Sequence, residues 1–444
     1  MNPYRRTLKI AVFVTCGLVT AACSSSSSSE SSAVTKQATT VAPTTTEQTT
    51  TTLGPDSSQC VDPPKNPYLA DSGAPIGHMD SAQSNGSPIA GPRDSTKTLA
   101  STDLQYADLG PGHAGLALSS KYPDGSRVIW SNGADRMSKI DAGTFEVLAE
   151  LPRADKVLVT SAEADANIAL LDQQTGAELA STGLGLGATY LLGLTGIYYA
   201  LDSDNTMFIG GEDSVLAYQD EIAGDPHSPI VLRNEWKRPP EITGGFVGVN
   251  MTFDGKLVVV TDEGWIVVLE RDFSNYVAIA LPGQEVAAAH NAEVVANGIT
   301  LASASWVRNS IAVDDQGGIY AVSFDEIHKV MWDGIKLSIS HDDGAWSVPY
   351  SNGNGKGSGA TPALMGYCDD RFVVVTDGDA QMNVMLFWRD AIPQDWENIE
   401  GQTNPRVAGN ALVTMDDANL TAIQSEQGVV VGGYGALVVN NDSP

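Results

Sequence analysis

Cysteine is the scarcest chemical resource in this chain. Four occur in 444 residues, at positions 16, 23, 60 and 368, with no CxxC pair and no Cys/His cluster. That excludes the thiolate-based metal sites and dithiol redox centres such spacings build. No G-x-S-x-G segment occurs either, so a strand-to-helix nucleophile elbow is absent. The six histidines lack metal-ligand spacing. Positive charge is also short, with 25 Lys and Arg against 54 Asp and Glu and a net charge of −29. A chain of that sign repels phosphate backbones, which argues against nucleic acid or an anionic membrane surface as partner and favours cationic ligands. Charged residues make up only 18%, glycine is abundant at 44, and long helical patterns are few.

What is present begins at the N-terminus. Arg5, Arg6 and Lys9 precede an apolar run from Ile10 to Val19, too short for a membrane-spanning helix. Thr20-Ala21-Ala22 then lead into Cys23, and the layout resembles a bacterial lipoprotein signal. The resemblance implies that residues 1–22 are removed and that Cys23 is acylated, anchoring an exported protein to the membrane. A plain secretory signal is the other reading of the same residues. Residues 23–58 are largely Ser, Thr, Ala and Gln. Such a composition cannot bury enough apolar surface to offset its ordering entropy, so a disordered tether of roughly 30–35 Å typical span is expected. An N-terminal extension, 59–98, follows. Cys60 and Cys368 remain as an even pair in an oxidising compartment, read as a disulfide or as two buried thiols.

The body, 99–444, repeats. Five segments share one layout: a short apolar strand opening on a small residue, a polar turn, a second strand, another turn and a third strand closing on an acid. They open at Gly115, Gly196, Gly248, Ser310 and Pro362 and close at Asp141, Asp220, Asp272, Asp333 and Asp390. A fourth apolar stretch follows each. Four short strands per unit with Gly/Asp turns predict propeller blades. A sixth copy opens at Ala422-Ile423 and stops after a third strand, so Leu99–Leu109 is expected to supply the fourth and close the ring. The fold class is therefore all-β, a six-bladed β-propeller, with seven blades as the alternative. The first interval is 81 residues against 52 to 62 elsewhere, and its Ala-rich surplus predicts a small helical insertion at about 161–194.

First strands of blades line a central channel, so the residues just ahead of them should crowd one mouth. Arg308, Asn309 and Thr361 fall there, Trp306 precedes them, His113 precedes the first blade, and His290 and Asn291 are placed in a loop before the fourth. Together these seven form the candidate ligand site. Asp202, Asp204 and Thr206 have calcium-loop-like spacing but lack the turn glycine, so turn-forming aspartates are expected.

Arg308-Asn309-Ser310-Ile311-Ala312-Val313-Asp314 with Gly317 and Tyr320 resembles a blade of the gluconolactonase and strictosidine-synthase-like propellers. The resemblance implies a divalent cation on Asn309, although His113 stands where those lactonases place a metal-binding Glu. The leading functional expectation is a monomeric, lipid-anchored extracytoplasmic propeller binding a small molecule, glycan or protein. The alternative is a lactonase-like or other hydrolase at the channel mouth.

Overall fold

The computed structural model describes residues 63–441, apart from 79, 89–97, 99, 108, 114, 154–157, 192–195, 369 and 418. The signal, the tether, Cys23 and Cys60 lie outside the described residues. Cys368 is disulfide-bonded.

The described chain is mostly β, in six antiparallel sheets. The first holds Gly115–Leu118, Val128–Asn132, Arg136–Asp141 and Val147–Pro152, paired in chain order. The second runs through Tyr199–Leu201, Met207–Gly210, Ser214–Asp220 and Ile230–Lys237. The third comprises Phe246–Met251, Leu257–Thr261, Trp265–Leu269 and Tyr276–Ala280. The fourth has Ala312–Val313, Gly318–Val322 and Glu326–Trp332, the last pairing with both Leu337–Ser338 and Trp346–Pro349. The fifth holds Ala363–Tyr367, Asp370–Thr376, Asn383–Trp388 and Val407–Leu412, and the sixth is the hairpin Val430–Gly432 with Gly435–Leu437.

The third sheet shows why these strands read as unbroken apolar runs. Its second strand, Leu257–Thr261, is buried on both faces. Val259 and Val267 pack with Phe208 and Val215 of the second sheet. Val258, Val260 and Ile266 pack with Ile319 and Val330 of the fourth. Alternate residues thus serve alternate neighbours, and each buried valine contributes about 1.5–3 kcal/mol.

The N-terminal extension occupies the middle. Asn66 Nδ2 donates to Met251 O (2.7 Å), Ala70 N to Leu201 O (2.9 Å), and Leu118 N to Ala74 O (2.8 Å). Further on, Leu364 N donates to Gln83 O and Val431 N to Ser84 O, both at 2.8 Å. Asn250 Nδ2 donates to Gln83 Oε1 (2.7 Å). One segment thus bonds the first strands of five sheets, which requires those strands to surround it. The arrangement is propeller-like, with residues 66–86 filling its axis.

Several expectations are corrected. The described residues between 100 and 110 form a single 3-10 turn, Ser101–Asp103, and no strand, so Leu99–Leu109 does not complete the last sheet. That stretch carries Ser101, Thr102 and Asp103 together and does not sustain the apolar/polar alternation that a half-buried strand needs. Ile423 does not open the sixth sheet. It makes an isolated parallel bridge to Gln381, and Val430–Gly432 takes the inner position. Two helices, α1 (Ser161–Asp172) and α2 (Gly176–Leu191), stand between the first and second sheets. Thr160 caps α1, accepting Glu163 N at 3.2 Å. A further helix, α3 (Ala287–Ala296), precedes the fourth sheet and carries His290 and Asn291, which the sequence reading placed in a loop. The Ala287-Ala288-Ala289 start explains it, alanine being the strongest helix former.

Candidate functional site

The chain brings Arg308, Asn309 and Thr361 together where the fourth and fifth sheets begin. Ser310 N donates to Thr361 Oγ1 (3.1 Å), tying the two strand starts. Asn309 Nδ2 donates to Ser358 O (3.0 Å), and Tyr198 Oη donates to Asn309 Oδ1 (3.4 Å). The Arg308 guanidinium donates to Ser303 O (2.7 Å), Gly357 O (3.4 Å) and Ser358 O (3.3 Å) and pairs with Glu426 Oε2 (2.7 Å). Gly359 permits that last approach, since a Cβ there would lie 1.9 Å from Ser425 O. In the Gly353–Gly359 loop, Gly357 and Ser358 thus act through their carbonyls and Gly359 through its lack of a side chain.

Arg308 and Asn309 are both buried. The His78 ring from the axial segment stacks on Tyr198 at 5.3 Å between centroids. Burial lowers the His78 pKa to about 4, so its imidazole is neutral across the physiological range, and burial raises the Tyr198 hydroxyl. The group is thus one carboxylate and one guanidinium, paired, among neutral donors.

The remaining sequence candidates lie apart from it or serve the frame. Trp306 is buried, its ring closing on Gly264, where a Cβ would meet it at 2.2 Å. Asn291 Oδ1 accepts Trp306 N (2.8 Å) and its Nδ2 donates to Asp262 O (3.2 Å), so it pins α3 to the third sheet. His290 Nε2 lies 2.8 Å from Ala304 O. His113 belongs to the first sheet, with Nδ1 against Ser131 Oγ, and burial lowers its pKa to about 4.

A divalent cation does not fit Asn309. The nearest charge is the Arg308 guanidinium, which repels cations, and Glu426 is already paired with it. Among the described residues no group of three or more His, Cys, Asp or Glu is placed to hold a metal ion.

Sequence reading missed a recess of about 590 Å³ between the second and third sheets, at the opposite end of their strands. Tyr68, Asp202, Lys256, Glu270 and Arg271 are among its walls. Arg271 bonds Asp202 (2.8 Å) and Asp204 (3.3 Å), and Lys256 bonds both Glu270 oxygens. Asp202 Oδ1 also accepts the backbone N of Asp204 and Thr206, the turn role expected of it. Only the aspartate spacing hinted at this place, because its other walls come from distant repeats and the axial segment.

No protein-family model matches the chain. An uncharacterised protein of Archaeoglobus fulgidus is 30% identical over 392 residues, covering 86% of this chain. The chain spans 64% of that relative's length. Among solved structures, BamB from Moraxella catarrhalis superposes with a TM-score of 0.34 at 9% identity, over 55% of this chain and 57% of that one. Virginiamycin B lyase from Staphylococcus aureus gives 0.30 at 12%, over 62% and 64%. The β-propeller domain of Swd1 from Myceliophteria thermophila gives 0.30 at 10%, over 53% and 60%.

Proposed function

We propose that this is an exported, lipid-anchored, non-catalytic binding protein, a propeller held off the membrane by Cys23 and a Ser/Thr-rich tether. One observation carries the non-catalytic half of that reading. The axis that would receive a substrate at Asn309 is filled by residues from Asn66 to Gly86, and Arg308, Asn309, Tyr198 and Glu426 at its mouth are bonded to one another or to the frame, while His78 Nε2 is buried without a partner among the described residues. A reacting centre needs donors and acceptors aimed at a substrate, and the donors of Arg308 and Asn309 are aimed at backbone carbonyls of the frame and at Glu426. The anchored half rests on the stretch from Arg5 to Cys23.

Two measurements test it. Cys23→Ala is expected to release the protein from membrane fractions or leave the signal uncleaved; unchanged fractionation with normal processing overturns the anchor. Purified protein incubated with lactone and ester substrates, with and without added calcium or zinc, is expected to show no turnover above buffer. Hydrolysis abolished by Asn309→Ala would establish the lactonase-like alternative.

A further inference from the structure

The α1–α2 hairpin is poorly supported by its own fold. Of the twelve residues of α1 only Leu171 is buried, and no described side chain of α2 is. Helices this short are marginal in water and take their stability from a packed apolar face. In addition α2 holds Gly176, Gly183, Gly185 and Gly187, each weakening it relative to alanine. Yet its sequence is apolar, and no charge occurs from Leu179 to Leu201. Leu158, Leu170 and Leu184 are 40%, 44% and 52% exposed. Cβ atoms built at Gly185 and Gly187 would meet nothing within 4 Å, and, two positions apart on a helix, the two glycines leave opposite sides of α2 open.

Charge decides what fits. Glu163 and Glu178 stand on the hairpin and accept from neutral donors, Tyr190 Oη (2.6 Å) and Gln174 Nε2 (3.4 Å), and no Lys or Arg occurs from Val157 to Leu201. The α3 insertion repeats the combination: Val286 and Val295 are 54% and 56% exposed, Glu285 and Glu293 accompany them, and no Lys or Arg occurs from Asp272 to Val307. Both insertions leave the fourth strand of a sheet and return to a first strand, so they stand on the same end of the strands. The described chain starts at the other end, where Tyr68 lies against Gly255 and Ala70 bonds Leu201.

We propose that the α1–α2 hairpin is a docking site for a protein segment that is both basic and apolar, an amphipathic helix carrying Lys or Arg beside leucine-like side chains. Such a helix covers the exposed leucines and offsets the charge of Glu163 and Glu178. The inference rests on the reading of a binding protein.

Fluorescence anisotropy with labelled synthetic peptides tests it: a helical Leu/Lys peptide, a Leu/Glu peptide of the same apolar pattern, and a Ser/Lys peptide of the same charge. Selective binding of the Leu/Lys peptide is expected. Leu184→Ser with Leu170→Ser should weaken it tenfold or more, and Glu163→Gln with Glu178→Gln should weaken it several-fold and reduce its salt dependence. Ile335→Ser, an exposed site at the other end, should leave it unchanged, with melting temperature and circular dichroism confirming that each variant is folded. Three results overturn the proposal: no binding, equal binding of the Ser/Lys peptide, or binding indifferent to Leu170 and Leu184. Flotation with phosphatidylcholine or phosphatidylglycerol vesicles, lost in the Leu170/Leu184 variant, would assign the face to lipid instead. Hydrolytic turnover alongside intact peptide binding would overturn the non-catalytic reading alone, and absent binding without turnover would overturn this inference alone.

Discussion

Lys139 Nζ lies 2.5 Å from Asp220 Oδ1, joining the third strand of the first sheet to the acid that closes the third strand of the second. Tyr122 Oη donates to the other Asp220 oxygen (2.8 Å), and Lys139 also reaches Ser228 O (2.6 Å) over the Trp130 ring. The fourth and fifth sheets repeat the device: Lys329 pairs with Asp390 (3.1 Å) and Arg389 O (2.8 Å) while lying over Tyr320. Lys139 is fully buried, so Asp220 and Ser228 O stand in for the water its ammonium has lost. Asp220→Asn is expected to cost about 3–5 kcal/mol by leaving the ammonium uncompensated. Lys139→Met with Asp220→Leu should cost clearly less, since both buried charges go together. Urea unfolding of the two variants distinguishes them, and equal losses would refute an electrostatic latch.

The five closing acids were visible in the sequence as punctuation, and the sheets stand where that punctuation put them. Asp141, Asp272 and Asp333 accept backbone N–H groups of their own turns, but the latch at Asp220 was not visible, because Lys139 and Asp220 are 81 positions apart. The axial segment was hidden for a related reason. Its polar side chains Asn66, Gln83 and Asn85 are buried because distant partners satisfy them: Met251 O for Asn66, the Asn250 amide for Gln83, and Thr361 O and Val429 O for Asn85. At the mouth, register alone brought Arg308, Asn309 and Thr361 together. Whether their donors point to a ligand or to Ser358 O depends on the loop 353–359, whose glycines carry no such signal.

Asn309→Ala should act on stability. The substitution removes the bond to Ser358 O and leaves that buried carbonyl to its longer contact with Arg308. A loss of about 1–3 kcal/mol in urea unfolding is expected. Unchanged stability would return Asn309 to the list of ligand-facing groups.

Asn85 tests the axial segment. Its Nδ2 donates to Thr361 O (3.2 Å) and Val429 O (3.1 Å), linking the fifth and sixth sheets. Asn85→Ala is expected to cost about 1–3 kcal/mol. Removing residues 1–58, which keeps Cys60, should leave the melting temperature nearly unchanged. Removing residues 1–86 should abolish cooperative melting, because first strands of five sheets lose partners together. A sharp unchanged transition after the longer deletion would show that the axis is not structural.

Asp262 gives stability a pH dependence of unusual sign. Its carboxylate accepts Gly245 N (2.9 Å), while burial pushes its pKa up to about 6 from an ordinary 3.8, with Glu263 adding repulsion and Arg238 opposing it. A carboxyl group with a raised folded pKa binds its proton more tightly in the native state than in the unfolded one. Its contribution therefore falls as pH rises from about 4 to about 6, and the penalty is complete above that window. The size is about 1–3 kcal/mol, from roughly two units at 1.36 kcal/mol each. Asp262→Asn keeps an acceptor for Gly245 and removes the ionisation. Relative to the parent, the variant should be more stable at pH 7 than at pH 4, with the difference closing through the window. Parallel stability curves for parent and variant between pH 4 and 7 would show that Asp262 ionises without penalty, and the buried turn joining Asn291, Val307 and Gly245 would then need another account.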